Sequence, residues 1–180
     1  MDATPSSTAS SHSLDEILAH RRDRNGLVVD VNEPQIKVVI FTLNGQHFAF
    51  PGRQIHEILN QQTIFFIPGC PASLKGVINL RSNIVSVLDL ALLVLNNSGG
   101  ESNQTSHSIL VAEGDNISSG LWVEQVVDVV DINQSAIHPP LATLPEQLKL
   151  LVSGEFTCGK QSVVLLDADT LLHHYRQQQA

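Results

Sequence analysis

GVINLRSNIVSVLDLALL (residues 76–93) and GEFTCGKQSVVLLDADTL (residues 154–171) align without a gap at an offset of 78. Gly76 meets Gly154, Val85 meets Val163, Leu88 meets Leu166, Asp89 meets Asp167 and Leu93 meets Leu171. The apolar pairs Ile78/Phe156, Leu80/Cys158 and Val87/Leu165 agree as well. A second block fits at an offset of 71, where Phe50, Gln54, Ile55, Glu57, Ile58 and Leu59 meet Leu121, Gln125, Val126, Asp128, Val129 and Val130. The difference of seven predicts an insertion around Pro139–Pro145. The same order of elements twice is the signature of a duplicated unit. Each copy is too small to build a large core alone, so the two are expected to pack together. The groove between them is then a natural binding site.

Outward from these blocks the pattern is that of short strands. KVVIFTL (37–43) is followed by Asn44-Gly45, a hairpin signal, and QHFAF (46–50) answers as the return strand. Further β-type runs are VIN (77–79), IVSVL (84–88), SILVA (108–112), LWV (121–123), VVDVV (126–130), GEFT (154–157) and SVVLL (162–166), most of them bounded by Gly, Asn, Ser or Pro. That spacing predicts an all-β fold of small barrels or sandwiches rather than parallel βαβ units. Short helices are expected over 89–95 and 167–175. Asp89 and Asp167 each stand between a β-type run and an apolar helical stretch, where a carboxylate caps free N–H groups and meets the positive end of the helix dipole. The polar stretch 96–104 predicts an exposed connector.

Composition bounds the function. The chain has 180 residues, 42% hydrophobic and 16% charged, in keeping with one globular unit or two fused subdomains. Its net charge of −8 opposes binding to nucleic acid or an anionic membrane, and 4% aromatics leave little for base stacking. No apolar stretch is long enough for a transmembrane helix, and the opening MDATPSSTASSHSLDE has neither a basic nor an apolar signal region, so a cytoplasmic location is expected. Residues 1–35 read as a flexible leader. Within it Ser13-Leu14-Asp15-Glu16 forms a capping box ahead of a short helix over 14–24 that would need a partner to hold it.

Catalytic motifs are missing. None of the 8 histidines forms HExxH or pairs with cysteines at metal spacing, and GxSxG, P-loop and GxGxxG patterns do not occur. Cys70 and Cys158 read as idle thiols. No catalytic residue, metal or cofactor is expected. Arg81 stands out as a basic residue between two apolar β runs, either in a local salt bridge or carbonyl clamp or organising a polar site at the surface.

KGVINLRSNIVSVLDL (75–90) resembles the hallmark segment of the CheW family, K-G-V-x-N-L-R-G-x-x-x-P-V-x-D-L. FTLNGQHFAFPGRQIHEIL (41–59) is similar to that family's opening hairpin and V-x-E-I segment, and LWVEQVVDVV and GEFTCGKQSVVLLDADTLL to its second half. The resemblance implies two intertwined five-stranded SH3-like β-barrels over 36–174, with subdomains of about 36–95 and 106–174, strand exchange between them allowed by the pattern, and a tail at 175–180. It implies a non-enzymatic adaptor in chemotaxis or surface/pilus motility. Its partners would be the regulatory domain of a CheA-type histidine kinase and the cytoplasmic tip of methyl-accepting chemoreceptors. By position, Ile55 and Glu57 match the V-x-E segment, and Gly76, Asn79 and Arg81 the G-V-x-N-L-R run. These are the residues the resemblance links to receptor and kinase contact, with Glu57 and Arg81 expected to pair. Ser82 replaces the usual Gly and Ser86 the usual Pro. If that Gly takes positive φ, Ser82 costs about 1 kcal/mol. Two other readings stand beside the adaptor. One is a divergent module that has lost receptor contact and acts as an inhibitor or array filler. The other is a small-molecule sensor using the inter-barrel groove.

Overall fold

The structure, a computed structural model, describes residues 33–96, 107–114, 117–140 and 144–179. The leader and its expected helix over 14–24 lie outside these residues. Pro34–Ala180 forms one structural unit.

The apolar run KVVIFTL lies in β1 (Gln35–Leu43), which turns through Asn44-Gly45 into β2 (Gln46–Pro51). Both turn residues have positive φ, 48° and 73°, as a two-residue hairpin loop requires. The Glu124 carboxylate accepts from both of their N–H groups, at 2.9 and 3.3 Å. The remaining strands are β3 (Ile55–Asn60), β4 (Leu74–Leu80), β5 (Asn83–Asp89), β6 (Ser108–Gly114), β7 (Ile117–Val123), β8 (Gln125–Asn133), β9 (Val152–Cys158) and β10 (Gln161–Leu166). The helices are α1 (Leu90–Leu95), α2 (Glu146–Lys149) and α3 (Ala168–Gln179). Strand β3, IHEILN, is missed by the β-type runs of the sequence: its polar His56, Glu57 and Asn60 dilute the signal that its counterpart VVDVV carries.

Two five-stranded sheets result, ordered β8-β1-β2-β10-β9 and β3-β6-β7-β5-β4. The fold is all-β with short helices, of the intertwined SH3-like kind. Strands β1–β5 belong to the first copy of the duplication and β6–β10 to the second. Each sheet takes the first and second strands of one copy and the third, fourth and fifth of the other, in the same order. The copies meet twice inside each sheet, at the antiparallel pairs β1–β8 and β3–β6 and at the parallel pairs β2–β10 and β5–β7.

The repeat reaches individual hydrogen bonds. After β3, Phe65 bridges to Val77 on β4; after β8, His138 bridges to Glu155 on β9. Each bridge ties together the two edges of its sheet. A register shift marks a bulge at Lys75 in one sheet and at Ser153 in the other. The N–H of Asp89 donates to Ser73 O (2.8 Å) as that of Asp167 donates to Leu151 O (2.9 Å). The offset between copies is 73 at Phe65/His138 and 78 at Val77/Glu155 and Gly76/Gly154. Five of the seven extra residues therefore lie between 138 and 154, in the segment carrying α2.

Exchange explains why the strands are apolar on both faces. In β1, Val38 and Ile40 point into a small core with Ala49, Phe156, Val163 and Leu165 of their own sheet. Val39, Phe41 and Leu43 point the other way, into a large shared core with Phe48, Phe50, Leu88, Leu110 and Leu121. The second sheet repeats this: Ile109 and Val111 join Leu59, Ile78, Val85 and Val87, while Leu110 and Ala112 join the shared core. Phe41 stacks on Phe50 with ring centroids 5.1 Å apart. Helices α1 and α3 contribute Leu90, Val94, Leu171 and Leu172 to the shared core. At roughly 25 cal/mol per Å² of apolar surface buried, this common layer supplies what neither sheet could bury alone.

Candidate interaction site

Glu57 and Arg81 come together. Glu57 lies on β3, one edge of the second sheet, and Arg81 opens the two-residue turn joining β4 to β5 beside the other edge. Arg81 Nη2 donates to Glu57 Oε1 at 3.2 Å. The Arg81 side chain is 79% exposed and that of Glu57 30%. A pair this open contributes little to folding, of order 0–1 kcal/mol. What it does is hold a guanidinium fork at a fixed place on the surface.

The turn that presents Arg81 is strained. Arg81 and Ser82 have φ of 51° and 69°, so the glycine-type turn persists without its glycine. Left-handed backbone at a non-glycine residue costs on the order of 1 kcal/mol. Asn79 compensates: its Oδ1 accepts from the Ser82 N–H at 3.0 Å. Asn79 is thus bonded into the turn that displays Arg81. Ser86, where the family pattern has proline, pairs across β5–β7 with Ser119, their hydroxyls 3.1 Å apart.

Ile55 and Gly76 are placed differently. Ile55 is half-buried against the shared core. Gly76 has φ +146°, and a Cβ there would lie 2.3 Å from Phe65 O. Both shape the scaffold behind the charged pair. Exposed apolar residues with no motif to announce them lie on β5 and on the segment bridged to β4. Ile84, 79% exposed, sits opposite Asn79 in the β4–β5 register and so shares its face. Phe65, 59% exposed, is bridged to Val77, and Phe66 beside it is 74% exposed. The only sequence signal for the last two is the apolar run IFFIP (64–68) outside every strand pattern. Apolar area next to a charged rim is the make-up of a protein-binding surface.

Comparison with known proteins decides the family. The CheW-like domain pattern matches residues 37–176. The chain belongs to the CheW-like domain family. It is 26% identical to the chemotaxis protein CheW of Bacillus subtilis over 144 residues, covering 80% of this chain and 91% of that one. It is 24% identical to the chemotaxis protein CheW of Helicobacter pylori over 166 residues, covering 90% and 97%. Its fold is similar to the crystal structure of the scaffolding protein TtCheW from Thermoanaerobacter tengcongensis, with a TM-score of 0.67 and 25% identity over 78% of this chain and 90% of that one. CheW-like proteins are scaffolds and adaptors, not enzymes.

Two polar networks brace this CheW-like domain, and the sequence shows only half of each. Asp89 Oδ1 accepts from the Leu92 N–H at 3.1 Å, as a helix cap should. Its other oxygen lies 3.1 Å from Lys75 Nζ, which also sits 4.1 Å from the centre of the Trp122 ring. Asp167 Oδ1 accepts from the Thr170 N–H at 2.8 Å. Its other oxygen takes the Gln54 amide at 3.1 Å, and Gln54 Oε1 accepts from the Ala168 N–H at 3.0 Å. Gln54 is buried and joins the short helical turn 52–54 to α3, 113 positions away in sequence from Asp167. No local pattern could announce that contact; the Gln54/Gln125 match of the duplication points at the residue without its role.

Burial pushes the Asp167 carboxyl up, but the Thr170 N–H, the Gln54 amide, the Thr170 hydroxyl and the Arg53 charge together hold its pKa below the ordinary aspartate value. The stabilisation this gives is complete above the unfolded-state pKa of about 3.9 and is lost as pH falls through the lower folded value. Stability in urea is therefore expected to drop on acidification below about pH 4. Asp167→Asn is expected to be less stable at neutral pH and to show a shallower acid decline. Parallel acid profiles for the two proteins would show that Asp167 does not carry this dependence.

Among the described residues, no helix is long and apolar enough to cross a membrane, and no cluster of His, Cys, Asp or Glu could hold a metal. Cys70 and Cys158 are free thiols, half-buried.

Proposed function

We propose that this CheW-like chain is a cytoplasmic adaptor that couples methyl-accepting chemoreceptors to a CheA-type histidine kinase in a chemosensory array. The observation that carries the reading is the exposed Arg81–Glu57 pair, held on a turn braced by Asn79, with exposed Ile84 opposite Asn79 and exposed Phe65 bridged to the same strand at Val77. A fixed guanidinium beside apolar area suits contact with a helical receptor tip or another barrel's edge. Ile55 and Gly76 act from behind, by setting the path of β3 and β4. Contacts of this size can be individually weak because many act together in an array.

Arg81→Ala is expected to melt within about 0.5 kcal/mol of wild type, as an exposed residue should. Its affinity for the kinase regulatory domain or the receptor cytoplasmic fragment is expected to fall about tenfold, or 1.4 kcal/mol. Unchanged affinity for both would remove the pair from the interface. The second reading, a divergent module without receptor coupling, draws on Ser82 and Ser86. Kinase binding with no receptor binding would favour it.

A further inference from the structure

At one end of the first sheet lies a cavity of about 520 Å³, within the usual range for small-molecule sites. Ile36, Lys37, Pro51, Arg53, Ser153 and Asp167 line it, all from β1, β2, β9 and their flanking turns or the end of β10. It belongs to one sheet and is distinct from the Arg81 surface on the other.

The internal duplication shows what such a space holds. Offsets of 71 and 78 carry Ile36, Pro51, Ser153 and Asp167 onto His107, Trp122, Lys75 and Asp89. In the second sheet that place is filled. The Trp122 indole lies under the Lys75 ammonium at 4.1 Å, with the His107 ring 6.1 Å away and Asp89 closing the ion pair. In the first sheet isoleucine, proline and serine stand for histidine, tryptophan and lysine, while the backbone bridges and bulges are the same. The same frame with smaller side chains leaves room for a planar aromatic ring.

Charge selects the rest of the ligand. Two of the ionisable groups in the lining, Lys37 and Arg53, are cations, Lys37 being shared with Asp131 at 2.9 Å. The lining carboxylate, Asp167, keeps its charge, but its oxygens are taken, Oδ1 by the Thr170 N–H and Oδ2 by the Gln54 amide, and the cations outnumber it two to one. We propose that this cavity binds an aromatic carboxylic acid of about indole size, its ring in the place Trp122 holds in the other half and its carboxylate facing Arg53 and Lys37.

The test titrates the full chain with indole-3-acetate, indole and tryptamine, read by ligand-detected NMR and calorimetry. Indole-3-acetate is expected to saturate with a Kd below about 1 mM, indole to bind more weakly and tryptamine weakest. Pro51→Trp, which copies the other half, is expected to weaken binding at least tenfold. Ser153→Lys, at an exposed position, is expected to do the same without a packing change. Arg53→Gln is expected to erase the preference for the acid over indole. No saturable binding by any of the three, binding untouched by both filling variants, or tryptamine binding best would each overturn the proposal.

Discussion

Gly76→Ala is expected to destabilise the fold by about 3 kcal/mol or more, and Gly154→Ala by about 1–2 kcal/mol. The two glycines occupy equivalent places in the duplication, beside equivalent bulges and bridges. They differ in backbone and in how closely a side chain would approach the same pair of neighbours, an isoleucine methyl and the carbonyl that follows it. Gly76 has φ +146°, a region open essentially to glycine alone, and an added Cβ would meet Phe65 O at 2.3 Å and Ile64 Cγ2 at 2.9 Å. Phe65 O cannot retreat freely, because it accepts the Val77 N–H at 2.9 Å in the bridge that ties the sheet's edges. An alanine there must break the bridge or distort β4. At Gly154 the nearest atom is the side-chain Ile137 Cγ2, at 2.6 Å, followed by His138 O at 2.8 Å, and φ lies outside the glycine region. The isoleucine can yield, and His138 O, though held by the Glu155 N–H at 2.9 Å, is met at 2.8 rather than 2.3 Å, so only part of the cost remains. Urea unfolding of both variants at neutral pH reads the difference. Equal losses would show that the backbone conformation of Gly76 is not what demands glycine.

The second large effect is at Asp89. Its side chain is 4% exposed and carries two duties at once, the cap on α1 and the ion pair with Lys75. Asp89→Ala removes a cap worth about 1 kcal/mol. It also leaves the Lys75 ammonium against Trp122 with its carboxylate gone. A fully buried orphan would cost about 3–5 kcal/mol, but the Lys75 side chain is 31% exposed, so a total of about 3 kcal/mol is expected. Asp89→Asn keeps an acceptor for the Leu92 N–H and is expected to lose about half as much. Lys75→Met is expected to reduce the cost of Asp89→Ala by about 1 kcal/mol or more in a double-mutant cycle. Additive losses would show that Lys75 and Asp89 do not act as a pair.

Much of this fold can be read from the sequence because duplication makes weak signals agree. Gly76/Gly154 and Asp89/Asp167, matched at one offset, share their bulges, their caps and the N–H bonds of both aspartates. The hairpin at Asn44-Gly45 follows from the need for positive φ at both positions. Strand β3 escapes because polar His56, Glu57 and Asn60 interrupt its apolar run without alternating, as an edge strand allows. The partner of each strand also lies beyond local reading. Two copies with the same pattern can pair within themselves or exchange, and connection geometry rather than composition decides between them. The proposed interaction surface divides the same way. Glu57 and Arg81 are legible as a motif, and Asn79 as part of it. Ile84 joins the proposed surface only through the β4–β5 register, which sets it opposite Asn79, and Phe65 only through its bridge to Val77 on β4. Lys75 and Gln54 gain their roles from contacts with Trp122 and Asp167 that no spacing encodes. The Ser82 departure is visible in sequence, but only the φ of 69° shows that the chain keeps the strained turn instead of rebuilding it.

A chain that joins a kinase to a receptor through its barrels must bind both. Calorimetric titration of the full chain against the regulatory domain of a CheA-type kinase from the same organism, repeated with a receptor cytoplasmic fragment present, asks this of it. As an adaptor, the chain is expected to bind each saturably and to form a ternary complex that Arg81→Ala weakens. No binding to the kinase domain at about 100 μM, weaker than about −5.5 kcal/mol, would contradict the adaptor reading.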